Sequence, residues 1–498
     1  MDVVVRKADP ATRPAGLLAV GVAERAPLAG PAQRLDRATH GALAALLATR
    51  DFTGAPGQSA LLYARGLRAR RVFVVGLGRG ASPERTTLLR AAALAARQAR
   101  ELGAGTLAIA LDGTAATSPE DIATIAEGVL LGHHRHTAYR SGSKAPLKRV
   151  ELLVPRASEA LVAAAGRGVR RGEAVCLARD LANTPGQDLV PSALAARAQE
   201  IGASTGAKVT VMDVPALERL GMGCLLGVGR GSVNPPRFIV LEHAPRETKR
   251  RGGRPLTIVL IGKGVTFDTG GYSLKPREGM SKMKYDMSGA AAVLGVFASL
   301  PALDLPVRLV GLIPSAENMV SDRAVKPGDV LHALDGTTVE VTNTDAEGRL
   351  LLADALGYAK RLEPDLVVDL ATLTGAISLA LGRFAAGIFT RDDALAAGLI
   401  AAGEAVGERL WRMPLWDDYR VEMRGGDTAD LVNSSERREG AACTAAAFLE
   451  HFARGLRWAH LDIASTAWTY EARPESARGP NAFGVRLLVE WLGAFARA

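Results

Sequence analysis

The stretch LTIVLIGKGVTFDTGGYSLKPREGMSKMKYDMSGAA, residues 256–291, sets the fold class. It opens with an apolar, β-branched run ending at Gly262, uniform enough to be a strand buried on both faces. It closes on Ser288-Gly289-Ala290-Ala291, small residues that begin a helix just after Asp286. Between the two lie Lys263 at the strand tip, Asp268 in a loop rich in Gly264, Gly270 and Gly271, and Lys275. Strand, glycine-rich polar turn and helix make the repeating unit of a parallel α/β sheet, whose ligand sites lie beyond the carboxyl ends of the strands.

The same alternation runs outward in both directions. On the N-terminal side, RVFVVGLG (71–78) and TLAIALDG (106–113) predict strands, with a helix from Pro83 to Leu102. A softer stretch, SGSKAPLKR (141–149), precedes one long predicted helix from Ser158 to Leu181. From about residue 186 the strands resume as 256–262, VRLVGLI (307–313), TTVEVT (337–342) and DLVVDLA (365–371). At 498 residues the chain is too long for one core. The expected architecture is α/β: a smaller N-terminal domain (1–157), a linking helix (158–185) and a larger C-terminal catalytic domain (186–498). The larger domain would carry a mixed, mostly parallel central sheet covered by helices.

Composition narrows the function. With 48% hydrophobic and 23% charged residues the chain is ordinary globular material. No apolar run approaches the roughly 20 residues of a membrane span, and MDVVVRKADP does not read as a secretory signal. Three scattered cysteines, Cys176, Cys224 and Cys443, argue against a disulfide framework or zinc knuckle, and a reducing cytoplasm is expected. The net charge of +9 permits an anionic partner such as nucleic acid without establishing one. The densest basic run, 249–254, lacks interleaved aromatic residues for base stacking and reads as a solvated loop.

Two other patterns are set aside. Gly76-Leu77-Gly78-Arg79-Gly80-Ala81 fits a dinucleotide fingerprint, but the acid expected about 20 residues on is missing and Asp112 comes too late; a plain βα turn is expected. His133, His134 and His136 fall where a helical pattern ends, and imidazoles suit a helix C-terminus.

A second informative stretch is VTNTDAEGRLLLADAL (341–356). Thr344 and Glu347 have the spacing of a capping box, and Leu352, Ala355, Leu356 and Ala359 recur at helical spacing. That reading leaves Asp345 and Arg349 idle and Gly348 a costly helix filler; Gly348 suits a backbone passing close to a bound anion. If both stretches end strands of one sheet, Lys263, Asp268, Lys275, Asp286, Asp345, Glu347 and Arg349 share a crevice. Gathered carboxylates repel one another and resist ionisation unless something positive offsets them. A salt-bridge network would serve, yet four acids exceed what two lysines and one arginine require. A pair of divalent ions, roughly 3.5–4 Å apart, would use every acid.

NTDAEGRL (343–350), GKGVTFDTGGYSLKP and MKYDMSGAA resemble, in order, the metal-site blocks of the leucyl aminopeptidase family, which includes bacterial aminopeptidase A. RDLANTPGQDLVPSALA (179–195), VDLATLTGA (368–376) and WAHLDIASTAW (458–468) extend the likeness, while the first 150 residues resemble the family only in layout, a macro-like domain. The resemblance implies an aminopeptidase that releases N-terminal leucine and other apolar residues from peptides by attack of a water bridging two metals. Lys263, Asp268, Asp286 and Glu347 would hold the tighter ion; Asp268 and Glu347 would bridge to a second, completed by Asp345. Manganese or zinc is implied, with magnesium or cobalt also suited to such oxygen-rich donors. Lys275 would stabilise the developing oxyanion, and Arg349 would hold bicarbonate as proton shuttle, its alternative being an ion pair with Asp345 or Asp354. Met283, Thr372, Gly375, Ala464 and Ala467 would form the apolar pocket, with Asn343 and Leu373 giving polar or backbone contacts; core packing is the alternative for each.

One departure stands out: the family's glycine run is replaced here by Glu439-Gly440-Ala441-Ala442-Cys443, which would strain any alanine required at positive φ. The resemblance also implies a homohexamer with enclosed sites. A DNA-binding accessory protein on the same fold is the competing function, separable by whether Asp345→Ala ends peptide cleavage and spares DNA binding. A catalytically silent scaffold is the third, disfavoured because none of the seven site residues is replaced.

Overall fold

The computed structural model describes the chain except residues 81–82, 112–117, 143–146, 245–249, 252, 438 and 498. Asp112, Ala81, much of the 141–149 stretch and part of the basic run lie outside the described residues. The chain divides into two compact units: Met1–Cys176 with Thr469–Arg478, and Leu177–Trp468 with Gly479–Ala498.

The first unit is built on six strands in the order Asp2–Lys7, Arg149–Val154, Thr106–Ala110, Leu17–Val22, Val72–Gly76 and Ser59–Leu62. All pair in parallel except the Ser59–Leu62 edge. Successive side chains of a strand point to opposite faces. Leu17 and Ala19 therefore enter one apolar cluster, with Ala92 and Val129 of the covering helices. Leu18, Val20 and Val22 enter another, with Leu35 and Leu43. Burial on both faces is why LLAVGV shows no polar alternation. The glycine-rich 76–80 segment is a turn before the helix Arg85–Glu101, and the histidine cluster ends the helix Pro119–His133, both as expected.

A 25-residue helix, Glu159–Asn183, contains the boundary between the units. The second unit holds a sheet in the order Leu410–Arg412, Ala386–Phe389, Trp458–Asp462, Leu366–Ala371, Thr257–Gly262, Arg308–Asn318, Arg237–His243 and Lys208–Met212. Its four central strands are parallel and the outer pairings mixed, in line with the expected fold class. Val259 and Ile261 face a core with Leu351, Leu352 and Phe448. Against the sheet packs the helix Ser288–Ser299, so closely that a Cβ on Gly289 would lie 2.1 Å from the Leu370 carbonyl oxygen.

Two sequence expectations are corrected. The chain does not enter a loop after Lys263: it resumes as a ninth strand, Gly264–Asp268, on the second half of the long strand Arg308–Asn318. Lys263 sits at the break between two collinear pairings, and Asp268 ends a strand. The 337–342 segment does not join the central sheet: Thr338–Glu340 pairs with Val330–His332 and Leu431–Val432 in a separate three-stranded sheet. Short, polar-flanked strands are specified by their neighbours more than by their own pattern, so local sequence did not reveal this partner.

Candidate metal centre

Three segments of the second unit converge. Lys263 is fixed by its own backbone, its N–H donating to the Leu370 carbonyl at 3.0 Å and its carbonyl accepting from Ala290 N–H at 2.9 Å. Its buried side chain puts Nζ 3.0 Å from Asp286 Oδ1, 2.9 Å from Asp286 Oδ2 and 2.8 Å from Glu347 Oε1, and donates to the Thr372 carbonyl at 3.1 Å. Asp286 follows the 3-10 turn Met283–Tyr285, and its Oδ1 accepts the Thr372 hydroxyl at 2.6 Å. Asp268 accepts Gly270 N–H and Asn318 Nδ2 at Oδ1, both at 2.8 Å, while Oδ2 meets Lys275 Nζ at 2.7 Å. Lys275 also contacts Asp345, the one acid of the group with substantial side-chain exposure, at 33%.

Thr344 and Glu347 do not form a capping box. Glu347 is itself the residue before the helix Gly348–Lys360, with no side-chain cap, and its carboxylate turns toward Lys263. The Thr344 hydroxyl instead donates to the Gly270 carbonyl at 2.6 Å and accepts Ser273 N–H at 2.8 Å, stitching the two acidic segments together. Sequence reasoning missed two buried asparagines that complete this stitching. Asn318 bonds both Asp268 and the Thr344 carbonyl. Asn433 accepts the N–H groups of Thr342 and Asn343 and donates to the carbonyls of Asn343 and Ala346. Neither carries a motif signal, because an amide that holds a loop is set by the fold around it.

The electrostatics favour a bound cation. Donor oxygens of Asp268, Asp286 and Glu347 all lie within 4.8 Å of one another. Burial, together with the neighbouring carboxylates, pushes Glu347 up to about 8 and Asp286 up to about 6, and raises Asp345. Burial opposes the charge on Lys263 and Lys275, but the surrounding acids outweigh it and raise both. Four carboxylates thus face two ammonium groups: Asp286 Oδ2 and Glu347 Oε1 share the one Nζ of Lys263, and Asp268 Oδ2 and Asp345 Oδ1 share that of Lys275. Four acids sharing two ammonium groups leave negative charge in excess, which a further positive group would offset. The donors are oxygens and one amine, which suits hard or borderline divalent ions.

Arg349, also buried, donates from one terminal nitrogen to the Asn433 carbonyl at 2.7 Å; its Nε has no partner among the described residues, and burial lowers its pKa to about 10. Asp354, the alternative partner considered for it, instead accepts Leu225 N–H and Leu334 N–H, each at 2.8 Å.

Of the residues expected to line the pocket, Thr372 contacts this centre directly. Leu373 N–H and Ala464 N–H both donate to Asp462, Gly375 begins the helix Gly375–Leu381, and Asn343 accepts Asp345 N–H. Met283 begins the turn that ends on Asp286. Ala467, almost wholly buried, is tied to the Ile463 carbonyl. The alanines of the departed loop cause no strain: only Gly440 is left-handed, at φ +65°, and Ala441 and Ala442 are the first residues of the helix Ala441–Phe452.

Family models described as the catalytic and N-terminal domains of the cytosol aminopeptidase family match residues 176–489 and 19–143. A probable cytosol aminopeptidase of Roseiflexus castenholzii is 45% identical over 100% of both chains, and one of Geobacter sulfurreducens is 43% identical, also over 100% of both. Among solved structures, a bottromycin maturation enzyme in complex with Mn is 40% identical, with TM-score 0.85 over 97% of this chain and 99% of that one. A mutant tomato leucine aminopeptidase is 34% identical, with TM-score 0.89 over 99% and 96%.

Proposed function

Because this chain belongs to the cytosol aminopeptidase family and is a metal-dependent aminopeptidase, we propose that the crevice between Lys263 and Arg349 is its catalytic centre. The observation that carries this reading is the gathering of Asp268, Asp286, Asp345 and Glu347 around only two lysines, an excess of carboxylates with the donor oxygens of three of them within 4.8 Å of one another.

Lys263, Asp268, Asp286 and Glu347 would hold one divalent ion, and Asp268, Glu347 and Asp345 a second. Manganese or zinc is the proposed occupant, manganese being the ion bound by one structural relative. When bound, such ions supply an acidified water and a Lewis acid for the scissile carbonyl. Lys263 ligates only after giving up its proton, so its burial among acids places a protonated amine where a neutral one is needed. Lys275, between Asp268 and Asp345, is positioned to donate to negative charge on the substrate carbonyl. Arg349, its Nε turned to no protein acceptor among the described residues, would hold a bicarbonate that moves the proton.

Substrates are peptides with a free N-terminus; the small residues Gly375, Ala464 and Ala467 with Met283 and Thr372 would admit leucine-like side chains, and Asn343 and Leu373 would give polar or backbone contacts. Relatives named for the cytosol support a cytoplasmic setting, and a hexameric assembly is part of the same proposal; no described helix is long and apolar enough to cross a membrane. The test is hydrolysis of leucine p-nitroanilide by chelator-stripped protein with Mn or Zn restored. Absence of cleavage with every divalent ion tried would sink the reading.

A further inference from the structure

Asp462, at the carboxyl end of the strand Trp458–Asp462, is fully buried and takes part in none of the roles above. Its Oδ1 accepts Leu373 N–H at 3.2 Å, Thr374 N–H at 3.4 Å and Ala464 N–H at 3.2 Å; its Oδ2 accepts the Thr374 hydroxyl at 2.6 Å. One carboxylate therefore joins two chain segments that meet only through the sheet. The 372–374 segment is anchored at its other end on the metal centre, the Thr372 carbonyl receiving Lys263 Nζ and its hydroxyl donating to Asp286. Three N–H groups are gathered on one oxygen, at the cost of burying a charge. Hydrogen bonds to an ionised acceptor are the strong kind, and three or more of them fix a loop where neutral bonds leave it looser.

We propose that Asp462 is a positioning residue for side-chain selection: through Leu373 and Thr374 it holds the segment that carries Thr372 and Gly375 at a fixed separation from Ala464, and that separation sets the width of the pocket for the N-terminal residue. The proposal rests on the pocket assignment made above. Asp462 touches no substrate; it acts through the two walls. Its carboxylate is replaceable by an amide, since Asn retains one oxygen for the three N–H groups and its NH2 can donate to the Thr374 hydroxyl. Alanine retains nothing.

The experiment compares wild type, Asp462→Asn, Asp462→Ala and Thr374→Val as manganese-loaded protein, measuring kcat and KM for leucine and glycine p-nitroanilides. Bound manganese and calorimetric binding of free leucine and glycine are measured alongside. In Asp462→Ala the preference for leucine over glycine should fall by about tenfold or more, the range a methylene-scale misfit commands. Bound manganese should match wild type, and Asp462→Asn should restore most of the preference. Thr374→Val, which removes the Oδ2 contact together with the hydroxyl that caps the helix Gly375–Leu381 at Ile377 N–H, should give an intermediate loss and serves if Asp462→Ala does not fold. An unchanged leucine-to-glycine ratio in both kcat/KM and binding, or an equal loss for both substrates with manganese released, overturns the proposal. Failure of wild type to cleave either substrate overturns the catalytic reading instead, and leucine binding then still decides for or against Asp462.

Discussion

Gly348 has no room for a side chain: a Cβ there would lie 2.6 Å from Lys263 Cε and 2.7 Å from Nζ. The sequence suggested a bound anion as the reason for this glycine; the arm of Lys263 lying along the helix start is a reason the sequence did not show. Gly348→Ala should shift Lys263 off Asp286 and Glu347, destabilise the fold by about 1–3 kcal/mol and remove most peptidase activity, checked by thermal melts and steady-state rates. Lys275→Ala should lower kcat about 100- to 1000-fold with manganese retained, as read by kinetics beside a bound-metal assay. Asn318→Ala should weaken manganese affinity about 10- to 100-fold, measured by calorimetry, because Asp268 loses the amide that orients it. Away from the centre, burial pushes Asp354 up to about 7. Raised above its unfolded value, it contributes stability that is full below about pH 4 and lost as pH rises through about 7. Denaturant midpoints of wild type relative to Asp354→Asn should therefore fall between pH 5 and 8. A pH-independent difference would contradict it.

Elements were legible where a run of residues carried one signal. The strands Thr257–Gly262 and Leu366–Ala371 and the helix Arg85–Glu101 are visible as apolar periodicity, and the acids of NTDAEGRL stand out against the helix they begin. Elements that depend on a distant partner were not. Gly264–Asp268 reads as loop because glycine and aspartate weaken its strand signal, yet it completes the far half of Arg308–Asn318. The glycine at 440 shows the same limit from the other side: the replaced run raised concern for the alanines, whereas only the residue that caps the helix needs positive φ. Gly440→Ala should cost about 1 kcal/mol, through the left-handed backbone and a Cβ 3.3 Å from the Tyr419 ring, read from chemical denaturation.

At the scale of the whole molecule, length and alternation announced two α/β units, and the expected ligand set met in one place. The net charge of +9 was equally plain and told little, since charge alone selects no partner. Adding manganese to chelator-stripped protein should raise the melting temperature progressively with ion concentration, because binding to the folded state alone shifts unfolding by mass action. A melting point indifferent to manganese would place the ion elsewhere than between buried carboxylates. The positions that compose and brace this centre run from Lys263 through Asp286, Glu347 and Thr372 to Asn433 and Asp462, so no short stretch of chain contains a partial version of it. During synthesis these groups cannot all meet until the chain through Asp462 has left the ribosome. If this crevice is the catalytic centre, as proposed, the aminopeptidase is inert as a nascent chain and gains its activity only once the second unit has folded.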